Sequence, residues 1–116
     1  MNVVVYGIRQ CDTLKKALKW LETQHISYRF HDYRKDGLPP ALLDEFIAAL
    51  GWEALLNRRG TTYRALSDAC KSSLDAESAR TVMLEQPAII KRPLLVLDHH
   101  YHLGFDEAGY HTLFGR

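Results

Sequence analysis

The chain starts with a short β-branched and aromatic run, Val3 to Tyr6, closed by Gly7. Such a run predicts a buried strand leading into a loop. From Asp12 the period changes. Leu14, Ala17, Leu18 and Leu21 recur at i, i+3, i+4 and i+7, which predicts one apolar helical face lasting to about Glu22. Ile26 to Tyr33 alternates in part, through Tyr28 and Phe30, and predicts a second strand ended by the polar turn Arg34-Lys35-Asp36-Gly37. Leu38-Pro39-Pro40 opens a helix, since proline is tolerated in a first turn. Leu42, Leu43, Phe46, Ile47 and Leu50 form its buried face, and Gly51 is its C-terminal stop.

Trp52 to Leu56 adds one helical turn, and Asn57 to Arg64 reads as a polar loop with Gly60 in its middle. A further helix is predicted over roughly Asp75 to Glu85, with Ala79, Val82 and Met83 inward and Pro87 as its stop. Ala88 to Ile90 and Leu94 to Leu97 are apolar runs flanking Lys91-Arg92-Pro93. Asp98 to Tyr101 reads as a turn, Tyr101 to Leu103 as the returning strand, and Asp106 to Phe114 as a short final helix. The order is a β-α-β unit, a helical insertion, a β-hairpin and a last helix, which makes an α/β fold with a mixed sheet covered by helices. It fits a thioredoxin-like fold: a mixed four-stranded sheet, flanking helices and an inserted helical lobe. With 116 residues one domain is expected over 1–116, its thioredoxin-like parts at about 1–34 and 87–116 and the insertion at about 38–86.

Composition narrows the function classes. Apolar residues at 47% and charged residues at 25% are those of an ordinary globular chain, not a disordered one. Fifteen Lys and Arg against 14 Asp and Glu leave +1, and no block of five or six like charges occurs, so no nucleic-acid or anionic-membrane partner is expected. Neither a signal-peptide pattern nor an apolar run near 18 residues is present, which predicts a cytoplasmic protein with no membrane span. Thiols stay reduced there, so Cys11 and Cys70 are expected as free thiols. No long exposed apolar stripe is evident, and a monomer is expected.

Cys11 lies between the first strand and the first helix, at or near the N-cap. Uncommitted backbone N–H groups and the positive end of the helix dipole would face its sulfur and favour the thiolate, which is the nucleophile. Lys15, one turn later, adds a positive charge to the same face. The position three after Cys11 is Leu14, so there is no C-x-x-C pair. After attack the sulfur must be released by another thiol, either Cys70 or an external one such as glutathione. Nothing around Cys70 suggests activation, and it reads as an ordinary packed or exposed thiol. Arg58, Arg59 and Arg92 are possible bidentate donors to an oxyanion or carboxylate, although exposed arginines are mostly solvated surface. Local sequence favours an ordinary trans proline at Arg92-Pro93. His99, His100 and His102 fit a polar hairpin turn, with no carboxylate or cysteine at a familiar ligand spacing, so no metal is expected.

The stretch Val5-Tyr6-Gly7-Ile8-Arg9-Gln10-Cys11-Asp12-Thr13-Leu14-Lys15-Lys16-Ala17 resembles the opening of the ArsC/Spx family, specifically its YffB-type branch. Leu55-Leu56-Asn57-Arg58-Arg59-Gly60-Thr61-Thr62-Tyr63-Arg64 and Gln86-Pro87-Ala88-Ile89-Ile90-Lys91-Arg92-Pro93-Leu94 resemble later parts of it, in the family's order. The resemblance implies a glutathione-dependent thiol reductase with Cys11 as nucleophile and Lys15 supporting its thiolate. It matches Arg92 to the arginine before the family's cis-proline and Pro93 to that proline. For the loop arginine, Arg59 fits one alignment and Arg58 another. Arg58, Arg59, Arg92, Pro93 and Thr13 are thereby implied as the glutathione-binding set. Glutathione is implied as co-substrate with no bound cofactor, and glutaredoxin or a thiol or disulfide substrate as a further partner. Two alternatives come with the family. One is arsenate reduction, although Tyr101-His102-Leu103-Gly104-Phe105 lacks the arginine those enzymes carry in the last hairpin. The other is an Spx-like adaptor that binds RNA polymerase, although Leu14 removes the C-x-x-C redox switch often found in those regulators.

Overall fold

A computed structural model describes residues 1–116. In chain order its elements are β1 (Val3–Gly7), α1 (Asp12–Thr23), β2 (Arg29–Asp32), α2 (Tyr33–Asp36), α3 (Pro40–Leu50), α4 (Trp52–Leu55), α5 (Thr61–Arg64), α6 (Asp68–Ser72), α7 (Ala76–Glu85), a 3₁₀ turn (Pro87–Ile89), β3 (Leu94–Leu97), β4 (His100–Leu103) and α8 (Glu107–Phe114). They fall into two compact units, Met1–Asp36 with Arg92–Arg116, and Gly37–Lys91.

The first unit holds a four-stranded sheet in the order β2-β1-β3-β4. β1 runs parallel to β2 and antiparallel to β3, and β3 pairs antiparallel with β4. This is a thioredoxin-like sheet. Strand alternation puts Val3 and Val5 of β1 beside Leu95 and Leu97 of β3 on one face. There they meet Leu14, Ala17, Trp20 and Leu21 of α1, together with Ile26 and Tyr110. The apolar spacing read from the sequence is the one α1 buries; Leu18 is only partly covered, and Trp20 takes a place the spacing did not assign. β3 and β4 are joined by the two residues between Leu97 and its partner His100. Asp98 takes φ 54 there, a left-handed conformation that Asp tolerates better than most residues. Its Oδ1 accepts from the Asn2 N–H at 2.8 Å, and its own N–H donates to the Asn2 carbonyl at 2.8 Å.

In the second unit α3 begins at Pro40 and ends at Gly51, where φ is 85 and the N–H donates to the Ile47 carbonyl at 2.8 Å. Leu43 and Phe46 are its buried positions, and α7 buries Ala79 and Met83. α3, α4 and α7 pack on one another. Arg80 of α7 grips Asp44 of α3 bidentately at 2.7 and 3.2 Å.

Two segments differ from the sequence reading, and two more take a structure it did not assign. β2 stops at Asp32, and Tyr33–Asp36 forms a helical turn instead of the strand end and polar turn expected. Asp36 accepts the Asp32 N–H at 3.0 Å, so the chain curls as soon as the ladder ends. Thr61–Arg64, read as loop, is a helical turn. The segment around Cys70, which the sequence left without an element, is the short helix α6, capped by Ser67 Oγ accepting from Cys70 N–H at 3.1 Å. The apolar run Ala88–Ile90 follows Pro87 through a 3₁₀ turn, and Ile90 then forms a single antiparallel bridge with Leu56. No helix is long and apolar enough to cross a membrane.

Candidate active site

β1 ends at Gly7, and the three residues Ile8, Arg9 and Gln10 deliver the chain to Cys11. Cys11 is the N-cap of that helix, with extended backbone (φ −85, ψ 122) and no side-chain capping bond. Its N–H donates to the Ile8 carbonyl at 3.1 Å, and its carbonyl accepts the first intrahelical bond, from Lys15 N–H at 3.0 Å. The amides of Asp12, Thr13 and Leu14 precede that bond and have no intrahelical acceptor. They and the helix dipole therefore act on the end of the helix where Cys11 sits. The Cys11 side chain is half-buried and packs against the core below α1, while Thr13 and Lys15 are exposed on the first turn.

The delivering loop is tied to β2. Asp32, buried at 6% exposure, accepts from Arg9 N–H at 3.4 Å through Oδ2 and from Arg34 N–H at 2.9 Å through Oδ1. The Arg9 guanidinium lies 5.3 Å from the centre of the Phe30 ring, which also pins the loop to the sheet.

Arg92 and Pro93 enter β3, joined by a cis peptide bond where local sequence favoured trans. Tyr6 pairs with Leu94 in the β1–β3 ladder, so Pro93 falls at the level where β1 gives way to the Cys11 loop. A Cβ added at Gly7 would stand 3.4 Å from Leu14 and 3.7 Å from Arg92 Cβ. The small residue thus lets α1 and the stem of Arg92 approach the same strand end. Tyr33 lies beside this group, buried, its ring 6.4 Å from Tyr6 and 6.1 Å from His31. Burial and then the Tyr6 hydroxyl push the Tyr33 phenol well above its ordinary range, while the Arg92 charge pulls the other way. Its hydroxyl has no hydrogen-bond partner.

Cys11, Thr13, Lys15, Arg92 and Pro93 therefore belong to the sheet-bearing unit. Arg58 and Arg59 belong to the helical unit, as does Cys70. Both cysteines are free thiols, each half-buried. Arg58 is held over the Tyr63 ring at 5.9 Å, whereas the main chain of Arg59 is fixed by its N–H donating to Asn57 Oδ1 at 3.2 Å. No group of three or more His, Cys, Asp or Glu side chains converges as a metal site. The residue that sequence reasoning missed is Asp32. Its signal was present: an Asp where strand alternation stops, the place where a carboxylate binds the amides of a turn.

A thioredoxin-like sheet with a cysteine at the N-cap position of its first helix defines the structural class. The chain belongs to the ArsC family, whose model matches residues 6–113. An uncharacterized protein of Haemophilus influenzae is 45% identical over 112 residues, covering 97% of this chain and 98% of its own. An arsenate reductase (ArsC) related protein from Brucella melitensis is 50% identical with TM-score 0.82, over 98% of this chain and 95% of that one. The structure of a YffB protein superimposes with TM-score 0.89 at 43% identity, over 96% and 97% of the two chains.

Proposed function

We propose that this chain is a glutathione-dependent thiol–disulfide oxidoreductase whose nucleophile is Cys11 Sγ. The observation that carries the reading is the placement of Cys11: the N-cap of a 12-residue helix, half-exposed, with no side-chain capping bond. The relative named as arsenate reductase related supports thiol chemistry for the family.

In the first step the Cys11 thiolate attacks the glutathione sulfur of a mixed disulfide RS–SG. The Cys11–SG bond forms, the RS–SG bond breaks, and RS⁻ leaves with the electron pair. In the second, a glutathione thiolate attacks that sulfur, giving oxidised glutathione and returning the Cys11 thiolate. The amides of the first turn of α1 and the Lys15 ammonium stabilise the negative sulfur in both steps. Thr13 lines the approach, and Arg92 holds a glutathione carboxylate by charge-assisted hydrogen bonds. Pro93 forms part of the same wall at the entry to β3. The loop arginines Arg58, whose guanidinium lies 5.9 Å from the Tyr63 ring centre, and Arg59 are the further candidate carboxylate ligands. Arsenate reduction ranks behind this reading, since β4 and the residues up to Phe105 carry no arginine.

Mass spectrometry after incubation with oxidised and then reduced glutathione tests the proposal. One adduct is expected, at Cys11, reversed by reduced glutathione, retained in Cys70→Ser and absent from Cys11→Ser. An adduct confined to Cys70, or none at all, overturns it and favours a polymerase-binding adaptor without thiol chemistry.

A further inference from the structure

The helical unit contains a charged concavity of about 480 Å³, lined by Glu53, Leu56, Asn57, Arg58, Arg59 and Lys91. A buried backbone bridge frames it. Leu56 and Ile90 form an antiparallel bridge, flanked by Asn57 N–H to Ile89 carbonyl at 2.9 Å and Lys91 N–H to Leu55 carbonyl at 2.8 Å. Leu55, Leu56, Ile89 and Ile90 are all buried to 1% exposure or less. Their burial fixes the backbone from which Asn57, Arg59 and Lys91 project. Glu53 joins them from α4, immediately before the bridge.

The charged lining is not consumed internally. Glu53, Arg59 and Lys91 are exposed, and none of them is engaged in an ion pair. Asn57 Oδ1 is occupied by the Arg59 N–H, which leaves its amide nitrogen as a donor. Gly60 makes room for that amide, because a Cβ there would stand 2.9 Å from Asn57 Nδ2.

A purely cationic cradle would suit phosphate or sulfate. Glu53 in the same wall opposes any bare anion. A group with both signs on neighbouring atoms satisfies the whole lining, its carboxylate toward Arg59 and Lys91 and its ammonium toward Glu53. We infer that this concavity is a subsite for an α-amino-acid head group. The source is the free end of a γ-glutamyl peptide or a free amino acid; in the first case the inference rests on the glutathione reading above and identifies which end of glutathione is recognised here.

The test is amide NMR on full-length Cys11→Ser, which forms no adduct at position 11. It is titrated separately with L-glutamate, glutathione, desamino-glutathione and inorganic phosphate. Saturable shifts are expected at Glu53, Asn57 to Arg59 and Lys91 with glutathione, weakened at least threefold when the amino group is missing. Glu53→Gln should abolish that preference, and Lys91→Met should weaken every carboxylate ligand. Equal shifts with L-glutamate identify the head group alone as sufficient, and shifts with glutathione only identify the peptide as the source. Phosphate binding as tightly as the amino acids, indifference to the missing amino group, or no shifts at these residues overturns the inference. The adduct at Cys11 in the wild-type protein is read separately, so the reductase reading and the subsite fail independently.

Discussion

The backbone N–H of Arg9 meets Oδ2 of Asp32 at 3.4 Å, tying the loop that delivers Cys11 to the end of the neighbouring strand. Asp32 is buried and holds the Arg34 amide with its other oxygen. Asp32→Ala leaves two amides without acceptors, which costs about 1–3 kcal/mol and loosens the Cys11 loop. Urea unfolding should show the loss, and the rate of thiol trapping at Cys11 should fall. Asp32→Asn retains one acceptor oxygen and should fall between the two. An Ala variant equal to the wild type in both measurements would show that Asp32 does not position the loop.

Arg92 is the cation that the strand ends place beside Gly7. Arg92→Ala should raise the KM for glutathione by about tenfold, the loss of one charge-assisted hydrogen-bonding group, while the adduct still forms at Cys11. Arg92→Lys should recover only part, because an ammonium cannot reproduce a bidentate fork. An unchanged KM in Arg92→Ala removes the assigned role.

The sheet and its helices were legible because their signals are periodic: the Leu14-Ala17-Leu21 face, the Val3-to-Tyr6 run and the Pro40 and Gly51 boundaries all act through local rules. Cys11 was legible for the same reason, since a strand-to-helix junction is a local event. Asp32 was not, because its value lies in amides 23 residues earlier and two residues later in the chain. That Glu53 and Lys91 line one concavity was equally hidden. It depends on the bridge between Leu56 and Ile90, which joins residues 34 apart in sequence without forming a strand that alternation would reveal. The short helices α2, α5 and α6 carry too few residues for a period to show.

Gly60 has φ −79, a conformation any residue adopts, so its small size and not its flexibility is what the loop uses. Gly60→Ala would force the Asn57 amide to turn away and release the Arg59 N–H. The expected cost is about one hydrogen bond, roughly 0.5–1.5 kcal/mol, with a clear loss of L-glutamate binding. Retained binding with unchanged shifts at Asn57 and Arg59 would separate this loop from the subsite.

Tyr110 is fully buried, its ring edge-on to Phe105 at 4.7 Å and to Trp20 at 5.4 Å, and its hydroxyl has no partner. Tyr110→Phe keeps the ring and removes an unsatisfied polar atom, so stability should hold or rise. Tyr110→Ala should cost about 3–5 kcal/mol, the range for emptying an aromatic core site. A destabilised Phe variant in thermal unfolding would mean that the hydroxyl is bonded in solution.

Asp75 caps α7 in a reciprocal box: its Oδ1 accepts from Ser78 N–H at 2.8 Å and Ser78 Oγ at 3.0 Å, while Ser78 Oγ accepts the Asp75 N–H at 2.9 Å. These bonds, the Ser78 amide first, hold the Asp75 carboxyl below its usual value. The folded state therefore prefers the carboxylate. Its contribution is fully present above the unfolded pKa of about 4 and is lost as pH falls through the lower folded value. Asp75→Asn keeps a capping oxygen but cannot ionise. The stability gap between wild type and Asp75→Asn should be constant near neutrality and close in acid, measured as urea midpoints from about pH 7 down to about pH 2.5. Asp44 is also held low by Arg80, but both proteins carry that pair and it cancels in the difference. A gap independent of pH would place the capping energy in hydrogen-bond geometry alone, with no share from the charge.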